Sequence, residues 1–87
     1  MANYRVLVAP SADKALRKLP EVVQTRIALA TKGLGADPRP RGCVKLKGEH
    51  NLWRIRVGDY RVVYEIHDKR LLVIVLVIAH RKDVYRK

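Results

Sequence analysis

The sequence predicts an α+β fold: an N-terminal strand, a two-helix hairpin, then a mainly antiparallel, twisted sheet with the helices packed on one face. Apolar and polar residues alternate with the period of a strand from Tyr4 to Val8 and from Trp53 to Tyr64. Between Ala12 and Leu34 the apolar residues instead recur every three or four positions, as on one side of a helix. The run LLVIVLVIA at residues 71–79 does not alternate and is far shorter than the roughly 18 residues of a membrane-spanning helix, so it reads as a buried strand. One strand, two helices and four strands, in that order, group the helices on one side of a single sheet.

Tyr4, Val6 and Val8 alternate with Arg5 and Leu7 in the first strand, which Pro10 ends. Ser11 is the expected N-cap of the first helix, with Asp13 in its first turn and Ala12, Ala15, Leu16 and Leu19 as its apolar stripe. Pro20 stops that helix and, as an N1 proline, opens a second one, where Glu21 complements the positive end of the dipole. Val23, Ile27, Ala30 and Leu34 follow at helical spacing, and Gly35 is placed to close the helix as its C′ residue. The prolines of GADPRPRG, residues 35–42, forbid regular structure and make a surface loop. Val44 and Leu46 alternate with Cys43, Lys45 and Lys47 in a second strand, and Gly48-Glu49-His50-Asn51 turn the chain into the third. His67 to Arg70 is a further polar turn. The uniform apolarity of residues 71–78 places the last strand centrally, with both faces covered.

At 87 residues the chain is expected to form one domain, residues 1–87, just above the size at which a core needs disulfides or metals. A single cysteine, Cys43, excludes an internal disulfide, and MANYRVLVAPS lacks the apolar stretch of a signal peptide, which makes the cytoplasm the expected compartment. His50, His67, His80 and Cys43 share no ligand spacing and no glycine-rich loop cradles a phosphate, so no metal or cofactor is expected. Lys and Arg outnumber Asp and Glu by 19 to 8, a formal net charge of +11. That imbalance calls for a polyanionic partner, with nucleic acid ahead of an acidic protein or an anionic membrane surface.

The function shows most plainly in NLWRIRVGDYRVVYEI, residues 51–66. If Gly58-Asp59 is a two-residue turn with glycine first, Val57 pairs with Tyr60, Arg56 with Arg61, Ile55 with Val62, Arg54 with Val63 and Trp53 with Tyr64. Trp53, Ile55, Val57, Tyr60, Val62 and Tyr64 then share the core face, and Arg54, Arg56 and Arg61 cluster on the other, where Glu65 also lies. Like charges directly opposite each other cost a sheet roughly 0.2–1 kcal/mol, and a site that tolerates them is expected to bind an anion. Guanidinium groups hold phosphate oxygens with two donors each, the fixed cations that phosphoryl transfer without a metal requires. The C-terminal AHRKDVYRK adds the remaining polar chemistry: His80 as a base or acid, Arg81 against developing charge, Tyr85 to stack on a base or donate a proton.

The segments KLKG at 45–48, LWRIRVGDYRVVYEI at 52–66 and IAHRKDVYR at 78–86 resemble, in order and spacing, the RelE toxins of the RelE/ParE superfamily. The resemblance implies a type II toxin that cuts messenger RNA in the ribosomal A site. It implies a metal-free reaction in which the ribose 2′-OH attacks the adjacent phosphate, leaving a 2′,3′-cyclic phosphate and a free 5′-OH. The implied partners are a RelB-like antitoxin, in a toxin-antitoxin hetero-oligomer, and mRNA on the ribosome with its 16S rRNA; no membrane is implied. Carried over by position, Arg54 and Arg56 stand where a well-studied member has lysines, Arg61 matches the phosphate-binding arginine, Arg81 the acid and Tyr85 the stacking tyrosine. Lys45, Lys47 and Lys82 join Arg54, Arg56 and Arg61 as RNA contacts. A guanidinium, with a pKa above about 12, does not serve as a base, so Arg56 cannot replace a basic lysine and His80 becomes the candidate base. ParE-type relatives share the fold but inhibit DNA gyrase without cutting RNA, which is the alternative activity.

Overall fold

The computed structural model describes residues 3–48, 51–80 and 82. The elements are β1 (Arg5–Val8), α1 (Pro10–Arg17), α2 (Glu21–Ala36), β2 (Val44–Lys45), β3 (Leu52–Val57), β4 (Tyr60–His67), a 3-10 turn (Asp68–Arg70) and β5 (Leu72–His80). They form one five-stranded sheet in the order β1-β5-β4-β3-β2, antiparallel except where β1 runs parallel to β5. Parallel pairing of β1 with β5 needs the rest of the chain as its crossover, and both helices lie in that connection. Ala12 of α1 and Ile27 and Leu34 of α2 pack against Ile55, Val62, Tyr64, Ile66, Val73, Val75 and Ile78, so the helices cover one face of the sheet. No described helix is long and apolar enough to cross a membrane.

The β3–β4 hairpin has the register that a Gly58-Asp59 turn dictates, from Val57 opposite Tyr60 to Trp53 opposite Tyr64. Gly58 takes a φ of +59°, in the region open to glycine, while Asp59 does not, as expected of a turn with glycine first. Ile55, Val62 and Tyr64 are buried on the helix side, with Trp53, Val57 and Tyr60 packed at its margin.

Several boundaries differ from those read in the sequence, each for a local reason. The first helix starts two residues early: Pro10 occupies its first turn, and Ala9 rather than Ser11 is the N-cap, its carbonyl accepting from Asp13 N–H at 2.9 Å. Pro20 is likewise the N-cap of α2 rather than N1, its carbonyl accepting from Gln24 N–H at 2.9 Å. Gly35 does not close α2; the helix runs on to Ala36 because Gly35 is needed inside it, buried against β1. Tyr4 N–H donates to the Gly35 carbonyl at 2.7 Å, and a Cβ on Gly35 would sit 2.9 Å from the Tyr4 oxygen. β2 has only two residues, with Leu46 N–H still donating to the Leu52 carbonyl at 2.9 Å. The turn predicted at 48–51 falls partly on Glu49 and His50, which lie outside the described residues.

β5 is interior, flanked by β1 and β4, and among the described residues the helices cover only one of its faces. Val73, Val75 and Ile78 are buried beneath the helices, whereas on the outer side Val77 is 44% exposed among the described residues, as is Leu7 of β1. The absent alternation has two other causes. The β4–β5 register shifts between Val63 and Tyr64, which adds Leu76 as an extra residue on β5 and changes the parity of the pattern. The open face is also itself apolar, with Leu72 and Ile74 half-buried in it.

The glycines of α2 give a paired expectation. Gly35→Ala should destabilise the protein by about 1–3 kcal/mol, since the added methyl would meet the Tyr4 backbone oxygen at 2.9 Å, next to the start of β1. Gly33→Ala, with open space at its Cβ, should instead stabilise it by up to about 1 kcal/mol. Urea unfolding of the two variants measures both signs.

Candidate nucleic-acid interface

The strand registers arrange the outer face of the sheet in rows. One row runs Val44, Arg54, Val63, Val77 and the next runs Arg56, Arg61, Ala79. Cross-strand neighbours on one face have Cβ atoms about 5 Å apart, which is the spacing of Arg56 and Arg61, and Arg54 stands two residues from Arg56 on the same face of β3. Their settings differ. Arg61 is only 6% exposed, Arg54 is half-buried and Arg56 is exposed. A buried guanidinium is held in place by its packing, which orients it before a ligand arrives. Ala79 beside Arg61 keeps a small side chain at this end of the face.

Glu65 shares the arginine face but pairs with none of the three. Its carboxylate oxygen lies 2.9 Å from His67 Nε2, two residues along β4 on the same side. The Glu65 carboxylate is thus engaged by His67.

The expected site residues separate. Lys45 pairs with Trp53 and stands on the helix side, its ammonium 5.9 Å from the Trp53 ring centre, because the period of two that sends Arg54 outward sends Lys45 the other way. Lys47 and Lys82 are exposed beyond the strand ends. Arg81 and Tyr85 lie outside the described residues. His80 is not brought to the arginines: it pairs with Tyr60 across β4–β5, and the two rings meet edge to face at 5.2 Å on the helix side. Lys82 N–H donates to His80 Nδ1 at 3.2 Å, so the neutral imidazole carries its proton on Nε2.

Sequence reading missed the part that holds the Pro-rich loop. Arg39 forks onto Asp68, with Nη1 donating to Oδ1 at 3.1 Å and Nη2 to Oδ2 at 2.8 Å, while Tyr4 OH donates to Oδ1 at 2.6 Å. The Arg39 guanidinium also lies over the Trp53 ring at 4.9 Å, and Tyr64 OH, deep in the core, donates to the Pro38 carbonyl at 2.8 Å. Burial pushes the Tyr64 hydroxyl pKa well up, so it stays a neutral donor. No local pattern links Tyr4, Arg39 and Asp68; only the parallel placement of β1 beside β5 brings them together.

An arginine cluster on the outer face of a helix-backed sheet marks a small basic domain with one cationic sheet face, and comparison with known proteins makes that class specific. Residues 6–85 match the model of the ParE toxin of type II toxin-antitoxin systems. Toxin RelG of Mycobacterium tuberculosis is 29% identical over 97% of this chain and 98% of its own length. Toxin RelE3 of Methanocaldococcus jannaschii is 32% identical over 93% of this chain and 94% of its own. The toxin in the archaeal RelE–RelB complex from Pyrococcus horikoshii superposes with a TM-score of 0.82 at 33% identity, covering 91% of this chain and 96% of that one. The chain belongs to the ParE toxin family and is a RelE-type toxin of a type II toxin-antitoxin system.

The Arg39 clasp sets a titration. Hydrogen bonds from Arg39, then from Tyr4, hold the Asp68 carboxyl down at about 2. A lowered carboxyl pKa means the clasp contributes fully above the ordinary value near 4 and loses its contribution as pH falls through about 2. Carbon-detected NMR should find the Asp68 midpoint near 2 and see it return toward 4 in Arg39→Gln; an ordinary midpoint in the parent protein contradicts the clasp.

Proposed function

We propose that this toxin is a ribosome-dependent endoribonuclease that cuts messenger RNA in the A site and so stops translation. The observation that carries this reading is the convergence of Arg54, Arg56 and Arg61 on the open face of the sheet. There they hold the non-bridging oxygens of the scissile phosphate and take up the charge that grows as the ribose 2′-oxygen bonds to phosphorus. The bond to the 5′-oxygen breaks, leaving a 2′,3′-cyclic phosphate on one fragment and a 5′-OH on the other. Arg81, the acid by resemblance, gives the departing 5′-oxygen its proton and is reprotonated by solvent. With His80 on the other side of the sheet, Tyr85 takes the 2′-OH proton. A RelB-like antitoxin is the partner that silences the toxin, in a hetero-oligomer of the kind its archaeal relative forms with RelB.

Arg61→Ala and Arg56→Ala should each lower single-turnover cleavage on programmed ribosomes by roughly 100-fold, the usual cost of one transition-state donor. Unchanged cleavage in both overturns the reading. The matching family model bears the ParE name, which makes gyrase inhibition the rival activity. Toxicity that survives Arg61→Ala, together with altered plasmid supercoiling, identifies that rival.

A further inference from the structure

A groove of about 530 Å³ lies between α1 and the β4–β5 end of the sheet, on the side away from the arginines. Lys14 of α1 and Lys18, its C-cap residue four positions on, line it with Ser11 and Leu19 from the helix side, and Tyr60 and His80 line it from the sheet. Neither lysine is ion-paired among the described residues, since the neighbouring acid, Asp13, is engaged by Arg17 at 3.0 Å. The Lys82 bond to His80 Nδ1 leaves Nε2–H as a further donor on a ring that lines the groove. Cations on one wall and aromatic rings on the other make a site for a phosphate with a base attached. Its position adds to this. Tyr60 and Arg61 are adjacent on β4 and face opposite sides, so the groove and the arginine cluster sit back to back at the same end of the sheet, joined around the Gly58-Asp59 turn.

We infer that this groove is a second RNA-binding site, which takes a nucleotide of single-stranded RNA with its phosphate on Lys14 and Lys18 and its base against Tyr60 and His80. It deepens the nuclease reading by giving the RNA a hold outside the reacting centre, yet it does not need cleavage to exist. The same cations would suit an acidic peptide, but the pair of rings favours a nucleobase.

The test uses the full-length protein and a 2′-O-methyl RNA 12-mer, which cannot be cleaved by 2′-OH attack. Lys14→Gln/Lys18→Gln keeps the helix and removes two phosphate contacts. It should flatten the dependence of log affinity on log salt by about 1.4, roughly 0.7 per contact on a single strand. Lys32→Gln/Lys69→Gln removes two exposed cations far from the groove and should leave the slope near that of the parent. An unchanged slope in the first variant, an equal change in both, or displacement of polyglutamate rather than RNA by the groove mutations overturns the inference. Ribosomal cleavage by the parent protein is measured alongside. Slope loss without any cleavage retains the groove and rejects the nuclease, whereas cleavage with an unchanged slope does the reverse.

Discussion

Parity in the β3–β4 hairpin is the constraint on which the rest of the structure depends. Gly58 and Asp59 close it with no residue to spare, so every side chain from Trp53 to Tyr64 is assigned to one face or the other by its distance from the turn. A slip of one residue would drive Arg54 and Arg56 into the space beneath the helices and turn Ile55 out to solvent. Burying unpaired guanidinium groups costs far more than a strand pairing gains, so the apolar set holds the arginines outside as firmly as it holds itself inside. The core and the candidate site are the two faces of one register.

The same parity has to survive the longer β4–β5 pairing, and there the chain uses a bulge. With Leu76 as the extra residue, Val73 and Val75 before it and Ile78 after it all reach the covered face. Beyond the bulge, Ala79 falls beside Arg61 and His80 beside Tyr60. The bulge therefore decides which terminal residue accompanies the arginines, and it sends the histidine to the other side.

Basic character is accordingly spread over two surfaces of different chemistry. On the open sheet the guanidinium groups are planar, multiply donating and partly buried, suited to a phosphate held in one orientation. Along α1 the charges are ammonium groups on flexible stems over an apolar floor, suited to a strand that is gripped but not reacted upon. Between them, Arg39 is diverted from either surface by Asp68 and serves to fasten the loop.

The sequence by itself determined the element order, the hairpin register, the division of its residues into core and arginine faces, and a surplus of positive charge. These follow from periodicity, turn chemistry and composition, which act over a few residues and are written in the local order of the chain. Only the tertiary structure decided that β1 lies parallel to β5, that Gly35 is held inside α2 by contact with Tyr4, that Tyr4 and Arg39 meet on Asp68, and that His80 faces α1. Each depends on partners distant in sequence or on a bulge whose extra residue looks like its neighbours. In the uniform run LLVIVLVIA no polar residue marks the change of face, so the side on which His80 emerges is set by packing of β5 against β4 and not by any pattern within the strand.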